Sequence, residues 1–406
     1  MMKKIKQAAA ALISASIFFT GCSQNAANNP VASIENPPEG TGDRFTVTFS
    51  DWNREYKYRM GAGGYTEEKD AELCTQLRKE VIEYLTQERV VLYLAEQMDI
   101  TAASLSDEEV KKIDEQVQKN LKKWYESYEA DAKLALGSDF TEDELLKKEQ
   151  ELFEKFLSQT GITVEDFTMW ETNEQIRLKF IEKVGESVED KTVDDFVQST
   201  IDSAKEMYEK DIATFEKTYT AFYIPEGSRK VQQIVVMIDD ISASEVKAYR
   251  KDGDDEKADE ILNAALEKVK FRIDEAYEKL QNGEDWKKVQ EEYNDETSTN
   301  DVDFNLYPKS STIDKKIIEA AMSIKNKGEY SEIQKTDAGW SIICYKDDLK
   351  FTDEEIKSLN DQGREFLVQQ ESYKKVTDFL KDYPYVLNYE LLNLEDPEST
   401  TASEKQ

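Results

Sequence analysis

From Thr66 to about Tyr219 the apolar residues recur at helical spacing almost without a break, and then the pattern stops. FYIPEGSRK, residues 222–230, sets Pro225 and Gly227 close together, and VQQIVVMID, a β-branched run of strand type, follows at once. A change of period from 3.6 to 2 at a Pro/Gly cluster marks a change of packing partner, so a domain boundary is predicted at 228/229.

Before that boundary the chain reads as helices. The first covers about 66–97, with Cys74, Leu77, Val81 and Leu85 on its apolar stripe. A second starts at Ser106, where Glu109 completes a capping box, and runs through Trp124 and Tyr128. A third spans about 141–159. GITVEDFTMWETNEQIRLKFIEKV then predicts a turn at Gly161, a short helix from Thr163 and a longer one carrying Trp170, Ile176, Phe180 and Val184. The last, with Phe196, Ile201 and Met207, ends near Asp211. Ahead of all these, RFTVTFS alternates Phe45, Val47 and Phe49 with hydroxyls, the pattern of a half-buried strand.

After the boundary, strands and helices mix. Asp252-Gly253-Asp254-Asp255 reads as a surface insertion, and a helix then carries Val269, Ile273, Ala276, Tyr277 and Leu280. Asn282-Gly283 stops it, and Asp285 caps the next helix, with Trp286, Val289 and Tyr293. DVDFNLY alternates as a strand. Ile317, Ala320, Ala321 and Ile324 form a short helix ended by Asn326-Lys327-Gly328, and TDAGWSIICYKDD, residues 336–348, holds a buried strand. FTDEE, with Thr352 as cap, opens a long helix to about Asp382, where Pro384 blocks continuation. YVLNYELLNL, residues 385–394, predicts a closing strand that pairs with the first, and residues 395–406 form a polar, disordered tail.

The charge narrows the function. Acidic residues outnumber basic ones 86 to 53, and the formal charge is −33. Such a surface repels nucleic acid and anionic lipid. It could hold a basic or unfolded client in solution, and solubility alone is the plainer reading. The chain has no histidine, which removes His-dependent triads, His-ligated metals and imidazole acid–base chemistry. Neither metal nor cofactor is expected.

MMKKIKQAAAALISASIFFTGCSQ has a basic start (Lys3, Lys4, Lys6) and an apolar stretch from Ala8 to Phe19, the pattern of a secretory signal. Its end, Phe19-Thr20-Gly21-Cys22, resembles a bacterial lipobox, with Phe19 in the usual Leu position. The resemblance implies removal of residues 1–21 and lipidation of Cys22, with the chain held on the outer face of the cell membrane. Residues 22–44, polar and rich in proline, read as a disordered tether. Cys74 and Cys344 are expected to be two buried thiols, not a disulfide.

The order of elements after the boundary resembles a parvulin-type peptidyl-prolyl isomerase domain over residues 229–348. EKLQNGEDWKKVQEEYND is similar to the family's two helices joined at "NGEDF". DVDFNLY resembles "GGDLGFF", and IDKKIIEAAMSIKNKGEYSEIQKTDAGWSIICYKD resembles the family's helix–turn–"GYHII" segment. The flanks, with GITVEDF ahead and a returning helix behind, resemble PrsA/SurA-type foldases. The implied fold is α+β: a mostly helical chaperone module, 45–228 and 349–394, with an inserted parvulin-like domain built on a small antiparallel sheet.

The resemblance also implies a site, and here the chain departs from the family. Gln233 and Ser341 stand where the family has its two histidines, and Asp303 stands on its acidic position. Ile313, Ile317 and Met322 occupy the proline-pocket positions, where the family has Met, Phe and Phe. Prolyl isomerisation breaks no covalent bond; the barrier of roughly 18–20 kcal/mol is lost amide resonance. A catalyst needs an apolar pocket and polar groups that favour the twisted carbonyl. Gln233 and Ser341 can donate and accept hydrogen bonds but cannot become cationic. Each is open to a plainer reading: Ser341 and Gln233 as packed strand polar groups, Asp303 as an exposed strand-end carboxylate, and the three apolar residues as core.

These readings imply a membrane-anchored folding factor that binds unfolded exported polypeptides, with weak or no isomerase activity. The alternatives are an active parvulin-type isomerase and a lipoprotein that binds a solute or cell-wall component. Nothing in the sequence indicates the oligomeric state.

Overall fold

The computed structural model describes residues 27–395. The expected signal segment, Cys22 and the tail from residue 396 on lie outside these residues. The described chain is mostly helical with two small antiparallel sheets, the α+β class expected. The described residues divide into two compact units, 27–188 with 365–395, and Glu189–Arg364.

The first unit opens with β1 (Pro30–Ile34), β2 (Val47–Thr48), α1 (Phe49–Gly63), α2 (Ala71–Glu96), α3 (Asp107–Ser127), α4 (Glu129–Leu136), α5 (Glu142–Thr160) and α6 (Val164–Gly185). The second contains α7 (Asp190–Lys210), α8 (Ile212–Thr218), β3 (Arg229–Met237), α9 (Asp240–Asp252), α10 (Asp255–Gln281), α11 (Trp286–Tyr293), β4 (Phe304–Leu306), α12 (Lys315–Ser323), β5 (Gln334–Lys335) and β6 (Gly339–Asp348). Helix α13 (Asp353–Asp382) starts in the second unit and continues into the first, which ends with β7 (Tyr385–Leu387) and α14 (Tyr389–Leu392).

In the first unit the two ends of the described residues meet, but not through the segment expected. Residues 30–34, read as tether, form the central strand of the order β2-β1-β7, and Val31 and Ala32 are buried. Their partner strand lies at the far end of the chain, so no local pattern could announce the pairing. RFTVTFS is not one strand. Its pattern breaks at Thr48, whose hydroxyl accepts from Asp51 N (3.2 Å) while the Asp51 carboxylate accepts from Thr48 N (3.4 Å). That capping box starts α1 in mid-pattern. The closing strand also stops early, at Leu387, because the Asn388 side chain accepts from Leu391 N (3.1 Å) and turns the backbone into α14.

The helices begin where capping boxes stand, at Ser106, Thr141 and Thr163. Residues 164–185 form one helix instead of two, since no Gly or Pro lies inside to break it. Two cores result. One packs Val31, Val47, Trp52, Val81 and Leu85 around the sheet. The other is aromatic: Phe153, 1% exposed, lies among Trp124, Tyr125, Phe156 and Phe167. Aromatic pairs of this kind add about 0.5–1.5 kcal/mol each beyond their burial.

The second unit is built on a four-stranded antiparallel sheet of order β4-β3-β6-β5. Residues 189–228, assigned from sequence to the helical module, fall in this unit. The reason is the apolar face of α7 and α8: Tyr208 and Phe215 pack with Tyr307 and Leu349, which flank the sheet. The acidic segment 252–255 is the turn of a helical hairpin. Gly253 (φ +79°) closes α9 in the left-handed region and the Asp254 side chain accepts from Lys257 N (3.1 Å) to cap α10. Cys74 and Cys344 are free and buried, as expected.

Candidate functional site

Successive strand residues point to opposite faces of a sheet. In β3 and β6 this sends Ile234, Val236 and Ile342 to one side, where Ile273, Ala276 and Leu280 of α10 and Val289 and Tyr293 of α11 cover them. Val231 and Ile343 go to the other side and pack with Leu306 and with Ile317, Ile318 and Ala321 of α12. The register pairs Gln233 with Ile343 and Val235 with Ser341. Gln233 and Ser341 therefore share the α12 face.

They are bonded to each other. Gln233 Nε2 donates to Ser341 Oγ at 2.9 Å. Ser341 is 1% exposed, whereas Gln233 is half-buried. Ile313, Ile317 and Met322 pack on the same face, in the cluster with Val231 and Ile343; Ile317 is buried and the other two are half-buried. Five of the six predicted site positions in this unit are thus brought to one face.

Asp303 is not brought there. Its carboxylate accepts from Gln232 Nε2 at 2.8 Å, and Gln232, next in line to Gln233, leaves the strand on the opposite face. Cys344 lies on that face too, opposite Gln232 in the register. Burial pushes the Cys344 thiol up to about 11, and the nearby Asp303 carboxylate adds to the rise.

Other residues shape the site that the sequence reading did not single out. Strand β4 pairs with β3 only over Arg229–Val231. Beyond that, side chains take over. Gln290, fully buried, donates to Gln233 O (2.9 Å) and accepts from Asp301 N (2.8 Å). Asn294 Oδ1 accepts from Val235 N (2.9 Å), and Asp295 Oδ2 accepts from Met237 N (2.8 Å). These bonds satisfy the part of the β3 edge that has no neighbouring strand. Arg229 donates to Ile324 O (2.8 Å) and to Ala321 O, and so fixes the C-terminal end of α12. A cavity of about 400 Å³ is lined by Phe222, Ile224, Lys230, Tyr307, Leu349 and Phe351, among others, none of them a predicted site residue. Its first wall is the FYIPEG stretch, which was legible only as a boundary.

Chemically, the Gln233–Ser341 pair offers hydrogen bonds and no titrating group. The serine is shielded and its oxygen is already an acceptor, so the glutamine amide is the polar group with access to solvent. Among the described residues no group of His, Cys, Asp or Glu could hold a metal ion.

The family model "Rotamase: PPIC-type PPIASE domain" matches residues 256–347. This chain carries a parvulin-type rotamase domain. The match begins after β3, yet β3 pairs with β6 along its whole length, so the rotamase sheet includes residues 229–237. The domain's family is that of the peptidyl-prolyl isomerases. No curated protein matches the chain. Among solved structures, the chain is similar to PrsA from Bacillus subtilis (17% identity, covering 77% of this chain and 87% of that one, TM-score 0.21). It is similar also to foldase protein PrsA from Streptococcus pneumoniae str. Canada MDR_19A (13%, 86% and 93%, TM-score 0.28). A third is foldase protein PrsA from Lactococcus lactis (16%, 93% and 97%, TM-score 0.26). The match to the rotamase domain, and not these low TM-scores, decides the assignment.

Proposed function

We propose that the chain is a membrane-anchored, extracytoplasmic folding factor that binds unfolded exported polypeptides, and that its rotamase domain binds proline segments with weak or no isomerisation. The observation that carries this is the Gln233–Ser341 bond: the serine of the site is buried and accepts from the glutamine amide, so the half-buried amide is the polar group left within reach of a peptide. A catalyst must present its donors to the twisted amide more strongly than to the planar one. With one N–H held by Ser341, Gln233 has a single neutral N–H to offer the twisted carbonyl. The half-buried Ile313 and Met322, on the same face as Gln233, support retention of apolar binding.

Anchoring is supported by the sequence Phe19-Thr20-Gly21-Cys22 after a basic and apolar segment. No helix of the described residues is long and apolar enough to cross a membrane.

The test is a proline-peptide isomerisation assay beside an aggregation assay, both on the chain from Cys22 onward. Suppressed aggregation of an unfolded client with little acceleration of isomerisation is expected. Uncatalysed exchange takes tens to hundreds of seconds, so modest catalysis would be visible. Robust turnover would establish the active isomerase instead, and ligand-specific stabilisation without client binding would establish a solute- or wall-binding protein.

A further inference from the structure

The loop that leads into the predicted proline groove, residues 308–313, is held from outside the matched rotamase segment. Glu216 of α8 accepts from Ser311 N (3.1 Å) and Ser311 Oγ (2.6 Å), from Thr312 Oγ1 (3.4 Å) and from Ser310 Oγ. One carboxylate thus gathers three consecutive hydroxyls and a backbone amide. Within the loop, Ser310 Oγ and Thr312 Oγ1 lie 3.2 Å apart, which closes the cluster. Burial alone would raise the Glu216 carboxyl, but these donors hold it below the ordinary carboxylate range.

Three further contacts tie this loop and the residue before it to α7 and α8. Lys309 pairs with Glu209, and its ammonium lies over the Tyr208 ring, 5.1 Å from the centroid. The Tyr307 ring meets Phe215 edge-on at 5.7 Å. The loop ends at Ile313, and the side chain of Asp314 accepts from Lys316 N (2.8 Å) and starts α12. That helix carries Ile317 and Met322. The position of Ile313 relative to α12 therefore depends on where residues 310–312 are held.

We propose that Glu216 is a positioning residue for the peptide groove: by clamping Ser310, Ser311 and Thr312 it sets the place of Ile313 against Ile317 and Met322. The inference rests on the reading that this groove binds proline segments. It gives α8 a role in peptide recognition, although the helix lies outside the rotamase match and was assigned from sequence to a different module. Four hydrogen bonds to a carboxylate make the loop one arrangement, and without them its exposed hydroxyls are satisfied by water in many.

The experiment uses the whole described chain, with Glu216→Ala and the milder Glu216→Gln. Three quantities are read: binding of a fluorophore-labelled Ala-Ala-Pro-Phe peptide, hydrogen exchange of residues 308–314, and the melting temperature. Glu216→Ala should speed exchange at Ser311 and weaken peptide binding about tenfold, with Glu216→Gln between it and wild type, since charge-assisted hydrogen bonds are involved. The melting temperature should stay within the range of the two variants' scatter. Faster exchange with unchanged peptide affinity would overturn the inference and leave Glu216 a structural tie. A fall in affinity that tracks a fall in melting temperature, in both variants alike, would overturn it as well. A wild-type chain that binds no proline peptide would overturn the functional reading itself, and the inference with it; that outcome is distinct because it appears before any substitution.

Discussion

Gln233 on β3 and Ser341 on β6 are joined by a 2.9 Å hydrogen bond from the glutamine amide to the serine hydroxyl, on the face of the sheet covered by α12. The two positions differ sharply in access, and substitutions should show it. Ser341→Ala leaves the Gln233 amide free to reach solvent, so a loss of about 0.5–1.5 kcal/mol in urea unfolding is expected. Ser341→His forces an imidazole into a site that is 1% exposed and should cost about 1–3 kcal/mol by overpacking. Histidine at 341 that costs nothing would mean the site is roomier than the packing indicates. Any isomerase activity of the native chain should show no step near pH 6–7, because no imidazole is present to titrate.

Val31 in β1 is fully buried between β2 and β7. Val31→Asp places an unpaired charge there and should destabilise the first unit by at least about 3 kcal/mol. Unchanged thermal unfolding would return residues 27–34 to the status of a tether.

The cluster of Tyr208, Phe215, Tyr307 and Leu349 implies that the second unit needs its flanks. A fragment of residues 189–364 should unfold cooperatively in a calorimeter. Residues 229–348 alone expose Tyr307 and lose the partners Tyr208 and Phe215. That shorter fragment should be markedly less stable or molten, and equal melting temperatures for the two would refute the role assigned to α7 and α8.

Burial holds the Cys344 thiol neutral in the fold, with its pKa raised from 9.0 to about 11. The unfolded chain releases this proton at lower pH than the folded one. Stability from this group is therefore fully present below about pH 9 and is lost as pH rises toward 11, by about 2–3 kcal/mol. Tyrosines titrate in the same range, so the measurement is the difference between wild type and Cys344→Ala in urea at pH 8 and pH 10.5. A variant with the same alkaline loss as wild type would contradict the assignment to Cys344.

Lipidation at Cys22 predicts that Cys22→Ala frees the protein from membranes or leaves its signal uncut. One acyl chain gives only marginal binding, so two chains are the physical requirement for stable attachment. Membrane retention of a normally processed variant would count against this.

What the sequence alone determined here is mostly local. Helix starts at Ser106, Thr141 and Thr163 were legible because a capping box lies within one turn of chain. The strand at Gly339–Asp348 was legible from its apolar run, and the switch of period at Pro225 announced a second kind of module. Gln233 and Ser341 were legible as candidate site positions through the family resemblance, and the tertiary register put them on one face and joined them. Other features were decided only by the fold. Pro30–Ile34 is a strand because β7 returns to it, and nothing near Pro30 encodes that return. Asp303 turned to Gln232 because its side of the sheet is fixed by where β4 stops pairing. Glu216 sits in an ordinary amphipathic stretch, and its carboxylate gains meaning only when α8 packs beside Ser310–Thr312. Short-range hydrogen bonds and periodicity are written in neighbouring residues, whereas pairings across the chain depend on burial that only the assembled core supplies.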